Sequence, residues 1–540
     1  MKARDPAYWQ AGWRDALPEL LQGEWDVLVI GGGITGAGIL LEAARRGLRA
    51  LLVEGRDFAW GTSSRSSKLV HGGLRYLAQG HVNLTREAVR EREALLRDAP
   101  GLVEPQPFAF PDYGKNPRKR RTMLAGLALY DLFAGRRERH WQDAAAFALL
   151  APNVAPTMAQ SRLAGGMVYT DAKTDDARLV LRTLVEARRH GAVAVNYLTV
   201  RSLLKEGERV AGAVLRDDAA GDCLYEVRAR LVIDAGGAWA GRLAGGGPRL
   251  RPLRGSHLLL PGWRLPLAQA ISLMHPADGR PVFAFPWEGA TLVGTTDVDH
   301  RDGLATEAAI TRAELDYLLQ ALQAQFPGLG LGEDDVIATY AGVRPVLDSG
   351  TRDAPSTLGR EHAIWCAQGL VGVTGGKLTT FRAIALDVLR QARRQLPGWN
   401  DALAPCPIFA PVAPPSASRR MPAPLLRRLA GRHGPHAQAL VDAAQDDELE
   451  PIPGTDTLWA ELRWAARAEA VEHLDDLLLR RTRLGLLLRG GAAGHMERIR
   501  AICQAELAWN DARWEREQAA YAALWARHYS LPVTNGAPDA

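Results

Sequence analysis

A glycine-rich turn near the start of the chain constrains the fold most strongly. Residues 27–30 form an apolar run that is typical of a buried parallel strand. The spacing G-x-G-x-x-G follows at Gly31, Gly33 and Gly36. In this pattern the first glycine permits a tight turn, the second lets a pyrophosphate approach the backbone, and the third lets helix and strand pack closely. The segment therefore predicts a βαβ unit that binds a dinucleotide at the amino end of its helix.

The second strand of this unit, over residues 48–53, ends at an acidic residue. Glu54 follows the glycines by about 20 positions, where a carboxylate can bind the ribose hydroxyls of a dinucleotide. A glycine-rich turn without a ligand is the alternative, but it does not account for strand, helix, second strand and acid in one unit. Because a carboxylate at this position disfavours a 2′-phosphate, NADP is not expected.

The composition is typical of a globular protein with more than one domain. The chain has 540 residues, of which 47% are hydrophobic and 24% charged, and its net charge is +5. This small excess of charge comes without a basic motif with interleaved aromatic residues, so we expect no nucleic-acid partner. The four cysteines lie far apart and form no C-x-x-C, so we expect a reducing compartment and no bound metal. They are Cys223, Cys366, Cys406 and Cys503.

No segment has the length and polarity of a membrane-spanning helix. Residues 1–24 lack the apolar stretch of a signal peptide, and no uninterrupted apolar run reaches about 18 residues. A basic and apolar stretch over residues 115–134, followed by Arg136, Arg137 and Arg139, suits a helix that lies at the headgroup level of an anionic membrane. The alternative is a helix packed on the protein core with solvated arginines at its ends.

Beyond the first unit, strand and helix patterns alternate before a helical end. Residues 178–190 have the periodicity of an amphipathic helix, and residues 231–239 again predict a strand followed by glycines. Strand patterns fill residues 257–297. Seven prolines within residues 405–424 predict a linker, and residues 425–529 show mostly helical periodicity.

Several ordered blocks along the chain are more specific than the glycine pattern, which many flavoproteins share. Among them are H-G-G-L-R-Y, G-V-R-P and G-G-K-L-T-T. Together the blocks resemble the FAD-dependent glycerol-3-phosphate dehydrogenases of the respiratory type over nearly the whole chain. The chain departs from that family at residues 234–238, D-A-G-G-A, where an asparagine and a proline are common. The matching blocks are residues 31–38, 62–76, 175–180, 255–257, 294–297, 340–345 and 375–382, and residues 480–484 resemble the signature of the family's C-terminal helical domain.

The resemblance implies an α/β fold in three parts. A Rossmann-like FAD-binding domain of the glutathione-reductase type is interleaved with a β-rich substrate domain over residues 1–400. A Pro-rich linker over residues 401–424 then leads to an α-helical C-terminal domain over residues 425–540. The FAD-binding domain is expected at about residues 24–100, 160–255 and 340–395, and the substrate domain at about residues 101–159 and 256–339.

The resemblance identifies FAD as the dinucleotide and assigns residues to it. Residues 375–380 precede a helix whose positive amino end would face the pyrimidine edge of the flavin and stabilise the reduced ring. The serine- and threonine-rich loop after residue 61 would line FAD between its pyrophosphate and its ring. The predicted cofactor-binding residues are Gly31, Gly33, Gly36, Glu54, Thr62, Ser63, Ser67, Lys68, Leu69, Gly236, Gly376, Lys377, Leu378 and Thr379.

Oxidation of a secondary alcohol needs a hydride acceptor, a base and, for a phosphorylated substrate, cations. Arg75, Arg344 and Lys377 lie in glycine- or proline-bounded loops, where a guanidinium can hold phosphate oxygens. An imidazole with a pKa of about 6.5 suits proton abstraction, and the resemblance places His257 beside the substrate, which Tyr76 would orient. The resemblance thus implies oxidation of sn-glycerol 3-phosphate to dihydroxyacetone phosphate, with hydride transfer to flavin N5.

The resemblance also implies an electron acceptor and a location. Electrons would pass to a membrane quinone from a cytoplasmic enzyme held peripherally at the inner face of the cell membrane, and a homodimer is left open. A soluble glycerol-3-phosphate oxidase, which reduces oxygen, would share the same residues. An FAD-dependent amino-acid oxidase is a weaker alternative, because three cations exceed what one substrate carboxylate needs. The non-enzyme alternative is a scaffold or sensor that only holds the cofactor.

Overall fold

Two large sheets and a C-terminal set of helices make up the described part of the chain. The computed structural model describes residues 9–221, 223–243, 245–348, 361–396, 406–416, 421–445 and 447–532, without the side chains of Arg75 and Ala78.

Parallel strands form the centre of the first sheet. Their spatial order is Val193–Val195, Ala50–Val53, Trp25–Ile30, Cys223–Asp234 and Leu370–Gly375. Antiparallel strands extend it at His362–Ala367, Leu198–Glu206 and Arg209–Asp217. Because the central strands run in the same direction, the turns that follow them meet at one edge of the sheet.

Helices cover this sheet and bury its apolar residues. Ile34–Arg45 packs against Asp176–Arg189 and Phe381–Ala392, and fully buried side chains such as Val29 and Leu52 form the core beneath them. The predicted Rossmann-like fold is confirmed by this arrangement.

The second sheet has ten strands and two covered faces. Leu258 and Ile271 face the helix Arg312–Gln325, whereas Leu259 and Trp287 pack against the C-terminal helices. Its strands are Val298–Asp299, Leu250–Pro261, Ala290–Gly294, Pro281–Trp287, Ala270–Met274, Val103–Asp112, Gly165–Thr174, Leu69–Val70, Ala338–Leu347 and Trp141–Asp143. A separate hairpin pairs Thr157–Met158 with Ser161–Arg162.

The interleaving of the two domains differs from the predicted boundaries at three strands. Leu69–Val70, Gly165–Thr174 and most of Ala338–Leu347 lie within ranges expected for the cofactor-binding domain, but they pair within the second sheet. The expected ranges came from the family resemblance, which does not specify the partner of a strand, and the fold class is as predicted.

The remaining helices lie around the sheets and at the C-terminal end. One of them, Asp476–Arg481, is a π-helix. The others are Leu17–Leu20, Leu74–Ala78, Val82–Asp98, Pro117–Ala134, Ala144–Leu150, Ala423–His433, Ala437–Ala443, Trp459–Ala468, Leu484–Leu487, Met496–Cys503 and Asp511–His528. Among the described residues, no helix combines the length and apolar character needed to cross a bilayer.

Within the predicted linker over residues 401–424, residues 406–416 are attached to the first domain. Ile408 and Phe409 are buried in the core of that domain. The backbone of Ile408 also donates to Asp98 and accepts from Arg45. This stretch is therefore a packed segment of the fold.

Buried ion pairs join the C-terminal helices to the first domain. Arg481 makes a fork of two 2.7 Å hydrogen bonds to the carboxylate of Asp57, and Arg480 Nε donates to the same carboxylate at 2.5 Å. All three side chains are at most 1% exposed. Burial alone would raise the pKa of Asp57, but Arg481 and Arg480 bring it below its usual value. The predicted signature at residues 480–484 thus anchors one domain on the other.

We expect Asp57→Ala to lower the free energy of unfolding by about 3–5 kcal/mol, because it leaves a buried guanidinium without its carboxylate. Chemical denaturation followed by tryptophan fluorescence measures this loss. The matched control is Glu206→Ala, which removes an exposed pair with Arg228 and should change the free energy by less than about 0.5 kcal/mol. Equal losses in the two variants would show that the buried pair contributes no more than a surface one.

Candidate active site

The glycine turn has the geometry that a bound pyrophosphate requires. Gly31 has a φ of 112°, and a Cβ atom there would lie 2.7 Å from the carbonyl oxygen of Ala235. A Cβ on Gly36 would lie 1.9 Å from the carbonyl oxygen of Gly31. Gly33 is the residue before the helix Ile34–Arg45. Helix and turn therefore approach each other as closely as backbone allows, and the amino end of the helix stays open to an anion.

Glu54 lies at the same edge of the sheet and is tied to the turn. Its carboxylate accepts hydrogen bonds from the amides of Gly32, at 2.6 Å, and Arg56, at 2.9 Å. Burial raises the pKa of Glu54, whereas the two amide hydrogen bonds act in the opposite direction. The predicted ribose-binding acid is thus held in a fixed orientation.

A cleft of about 600 Å³ runs along this edge between the two domains. Its volume is in the range of small-molecule sites. Pro345 and Ser66 line it beside the second sheet. The predicted cofactor residues on its wall are Gly31, Gly33, Glu54, Thr62, Ser63, Gly236, Gly376, Lys377 and Leu378.

The loop after Gly61 contributes hydroxyl groups to the cleft. Ser63 Oγ accepts a hydrogen bond from the amide of Ile34 at 3.0 Å, at the amino end of the helix. Thr62 Oγ1 donates to the carbonyl of Val343 at 2.5 Å, which ties the loop to the second sheet. The two residues therefore shape the wall between the glycine turn and the second domain.

The turn at Gly236 contains the departure from the family pattern. Asp234 accepts hydrogen bonds from the amides of Gly236, at 3.0 Å, and Gly241, at 2.8 Å. Burial raises the pKa of Asp234, and these two amides lower it. An aspartate can thus close this turn through its own side chain.

Lys68 and Leu69 lie behind the cleft wall, unlike the predicted position beside the cofactor. The Lys68 side chain is 0% exposed, and its Nζ lies 2.8 Å from Asp176. Leu69 begins a short strand paired to Lys173. The chain turns inward here, at a φ of 56° for Lys68, so the structure gives Lys68 a role in packing and charge pairing.

A polar group around His257, here called the histidine cluster, lies on the second sheet. His257 Nε2 is 2.9 Å from Ser67 Oγ, and its ring stacks on Tyr340 with centroids 4.6 Å apart. Arg344 donates to Asp297 and Thr295, each at 3.0 Å. The histidine cluster consists of Ser67, His257, Thr295, Asp297, Tyr340 and Arg344.

Strand geometry brings Arg344 to His257. A Cβ on Gly255 would lie 2.5 Å from a guanidinium nitrogen of Arg344, so this side chain lies over the glycine. Residues 255 and 257 of one strand share a face of the sheet. The guanidinium therefore lies beside the imidazole.

The imidazole of His257 is neutral at ordinary pH. Burial lowers its pKa well below the usual 6.5, and the positive charges of Arg344 and Lys68 lower it further. The His257 residue is 1% exposed, whereas Ser67 is partly exposed. A proton acceptor is therefore available, with the Ser67 hydroxyl next to it.

Lys377 lies beside Tyr76, another predicted catalytic residue. Its Nζ is 3.6 Å from the centroid of the Tyr76 ring. Thr379, which precedes the helix Phe381–Ala392, donates from Oγ1 to the carbonyl of His71 at 3.2 Å. Arg75 belongs to the helix Leu74–Ala78, but its side chain lies outside the description.

Sequence reasoning missed several residues of the site. Trp60 and Trp239 line the cleft with ring centroids 5.7 Å apart. Asp297 and Tyr340 belong to family blocks, and this membership could have identified them as site residues. For the two tryptophans the sequence offers no comparable signal.

The one group of His and carboxylate side chains in the described ranges that is close enough to share a metal lies elsewhere. Asp131, Glu138 and His140 have ligand-type atoms within 4.8 Å of one another. None of the three lines the cleft.

Two family models match the chain in succession. Residues 26–390 match the family described as FAD dependent oxidoreductase. Residues 388–514 match the C-terminal domain of alpha-glycerophosphate oxidase.

Named relatives match the chain over most of its length. Glycerol-3-phosphate dehydrogenase 2 of Mycobacterium tuberculosis (strain H37Rv) is 37% identical over 527 residues, which cover 93% of this chain and 88% of the relative. The aerobic glycerol-3-phosphate dehydrogenase of Staphylococcus haemolyticus is 33% identical over 499 residues, with coverages of 87% and 88%. The X-ray structure of the glycerol-3-phosphate dehydrogenase from Bacillus halodurans, complexed with FAD, has a TM-score of 0.73 at 26% identity and covers 96% of this chain and 98% of that chain.

The cofactor of this chain is FAD, as predicted. The described residues fit it. The glycines at positions 31 and 36 let the helix and the turn approach closely, Glu54 follows the second strand beside this turn, and the cleft continues to Lys377.

We expect Gly36→Ala to purify with most of its FAD lost, because the added methyl group would collide with the backbone of Gly31. The ratio of flavin to protein absorbance measures the loss. Gly126→Ala is the matched control, since a Cβ at this helical position meets nothing within 4 Å. Full FAD content in Gly36→Ala would contradict the assigned turn.

Proposed function

Because the chain belongs to the family of FAD-dependent glycerol-3-phosphate dehydrogenases, we propose that it oxidises sn-glycerol 3-phosphate to dihydroxyacetone phosphate and passes the electrons to a membrane quinone. The histidine cluster supports the oxidation step of this proposal. It combines a neutral base with a fixed guanidinium, next to the end of the FAD cleft that Ser66 and Pro345 line.

Arg344 binds the phosphate or polarises the substrate oxygens. Its two terminal nitrogens are held by Asp297 and Thr295, and its side chain is 19% exposed. A guanidinium held in this way loses little conformational entropy when an anion binds. Lys377, on the cleft wall, supplies a second positive charge, and Arg75 is the third predicted cation.

His257 takes the proton of the substrate hydroxyl. Since the ring is 1% exposed and Ser67 Oγ is 2.9 Å from Nε2, the proton travels through Ser67. The substrate hydroxyl donates to Ser67 Oγ while the Ser67 proton moves to Nε2. Stacking on Tyr340 keeps the imidazole in place. When bound, FAD accepts the hydride from the substrate carbon that bears this hydroxyl.

We expect sn-glycerol 3-phosphate to bleach the flavin of the purified protein under anaerobic conditions. In stopped-flow measurements, Arg344→Leu should lower kcat/KM about 10²- to 10³-fold with FAD retained, and His257→Ala should slow flavin reduction about 10²- to 10⁴-fold. Arg251→Leu is the matched control, because it removes an arginine paired with Asp299 in the same sheet. A wild-type rate in His257→Ala would assign the base to another group.

The electron acceptor is tested by adding a soluble quinone or air to the reduced flavin in the same experiment. We expect the reduced flavin to be reoxidised rapidly by a soluble quinone and slowly by air. Rapid reoxidation by air with peroxide formation would favour the oxidase instead. Bleaching by amino acids in place of glycerol 3-phosphate would favour an amino-acid oxidase, and no bleaching by either would leave a cofactor-holding scaffold.

A quinone acceptor requires contact with a membrane, and we propose the helix Pro117–Ala134 as the contact. Its carboxyl-terminal half packs on the protein core through Leu127 and Tyr130. Its amino end displays exposed Arg118, Lys119 and Arg121. Such a cluster suits the headgroups of the anionic inner leaflet of the cell membrane, and the enzyme would thus be cytoplasmic and peripheral.

Exchange of the basic cluster tests this contact. Each basic residue near an anionic surface contributes about 1 kcal/mol, so Arg118/Lys119/Arg121→Ser should weaken binding to anionic liposomes about 10²-fold in co-sedimentation. Arg120 is left unchanged, because it pairs with Asp112. The control variant, Arg201/Lys205/Arg228→Ser, removes three exposed positive charges from the first sheet. Equal binding by both variants would place the membrane contact elsewhere.

A further inference from the structure

A buried carboxylate connects the C-terminal helices with the segment that contacts His257. Asp176 Oδ2 accepts hydrogen bonds from the amide of Ser66, at 2.9 Å, and from its hydroxyl, at 2.7 Å. Lys68 Nζ lies 2.8 Å from the other carboxylate oxygen. Ser67, between these two residues, makes the contact with His257. Residues 64–68 are here called the serine segment.

Arg483 of the C-terminal domain binds the same carboxylate through Oδ1, the oxygen that Lys68 also contacts. Its Nη2 donates to Asp176 and, at 2.8 Å, to Asp175. Its Nη1 donates to the carbonyl of Ser64, at 3.3 Å. Arg483 therefore contacts the serine segment both directly and through Asp176.

The serine segment is fixed at other points that lead to the histidine cluster. The Tyr340 hydroxyl donates to the carbonyl of Ser66 at 2.8 Å, and the same ring stacks on His257. The ammonium of Lys68 lies 4.7 Å from the centroid of that ring. A shift of the serine segment would therefore move both groups that hold the imidazole.

Of the two cations that contact Asp176, Arg483 keeps its charge over the wider range of pH. Burial lowers the pKa of Lys68 to about 7, against the effect of Asp176. A guanidinium keeps its charge at any pH at which the protein is folded. Arg483 is thus the permanent counter-ion of Asp176.

We propose that Arg483 and Asp176 are positioning residues for the proton acceptor, and that they act by holding Ser67 against His257. The C-terminal helical domain then contributes to the reaction without touching substrate or cofactor. The inference rests on the proposed function for its kinetic consequence. Its structural part, the Ser67 contact with His257, is testable without substrate.

Arg483→Gln is the test, and Arg481→Gln is its matched control. Both arginines belong to one segment and are at most 1% exposed, but Arg481 binds Asp57 and lies outside the contacts of the serine segment. In each variant the carboxylates that lose the guanidinium keep another cation: Lys68 for Asp176 and Arg432 for Asp175 in the first variant, and Arg480 for Asp57 in the second.

The first readout is the ¹⁵N NMR spectrum of the holoenzyme with labelled histidine, in which the His257 signal is assigned by its loss in His257→Gln. We expect Arg483→Gln to shift the His257 Nε2 resonance, as Ser67→Ala does, and Arg481→Gln to leave it unchanged. An unshifted resonance in Arg483→Gln, or the same shift in both arginine variants, would overturn the proposal. Because no substrate is present, this result does not depend on the proposed reaction.

The second readout is the rate of anaerobic flavin reduction at saturating glycerol 3-phosphate. Arg483→Gln should lower it about 10- to 100-fold, as expected for a misplaced proton acceptor, with an unchanged dissociation constant for the substrate. Arg483→Lys should recover part of the rate. The double variant with Ser67→Ala should be no slower than the slower single variant, and multiplied effects would overturn the proposal.

If Arg483→Gln does not fold, Asp176→Asn replaces it in both readouts. Absence of bleaching in the wild type would refute the proposed function and leave the NMR result standing.

Discussion

Three carboxylates of the cofactor-binding domain, Asp57, Asp175 and Asp176, are at most 1% exposed. A carboxylate is costly to bury unless a cation and hydrogen bonds compensate it. The arginines that do so here come from the C-terminal helices. The buried carboxylates of the cofactor-binding domain therefore have their arginine partners only when those helices are docked. The position of the serine segment depends on the same contacts.

The site is formed where two sheets of different design meet. Parallel strands bring the turns at Gly31, Glu54, Gly236 and Gly376 to one edge, which suits a long dinucleotide. The second sheet carries the histidine cluster on neighbouring strands. Under the proposed function, the cofactor and the substrate proton are therefore handled mainly by different domains, and the serine segment contacts both domains.

Local patterns made the cofactor half of the site predictable from the sequence. The glycine spacing and Glu54 lie within one βαβ unit, so backbone geometry alone relates them. Of the histidine cluster, His257 and Arg344 were predicted as catalytic residues and Ser67 as a cofactor-binding residue, each separately and in a different family block. His257 and Ser67 are 190 positions apart, and no periodicity specifies their contact.

Lys68 shows why proximity in sequence misleads at this site. It lies in the same block as Thr62 and Ser63, yet a single residue with positive φ turns its side chain into the interior. Likewise, residues 340–347 fall in a range expected for the cofactor-binding domain, yet they belong to a strand that pairs within the second sheet. A buried apolar strand has the same sequence pattern in either sheet. Long-range pairing and buried charge decided these cases, and neither leaves a periodic signal in the chain.

The domain junction also has a consequence for the order in which this protein is built. Synthesis proceeds from the amino end, so the acids of the first domain leave the ribosome long before the arginines that neutralise them. The helical end also reaches across the second sheet, where the backbone of Tyr529 accepts from Thr339 and its hydroxyl accepts from Arg65. A nascent chain can pair its strands early, but the serine segment and its imidazole partner acquire their final contacts only after the last helix has emerged. The contacts that position the serine segment therefore form only after the C-terminal helices have been synthesised.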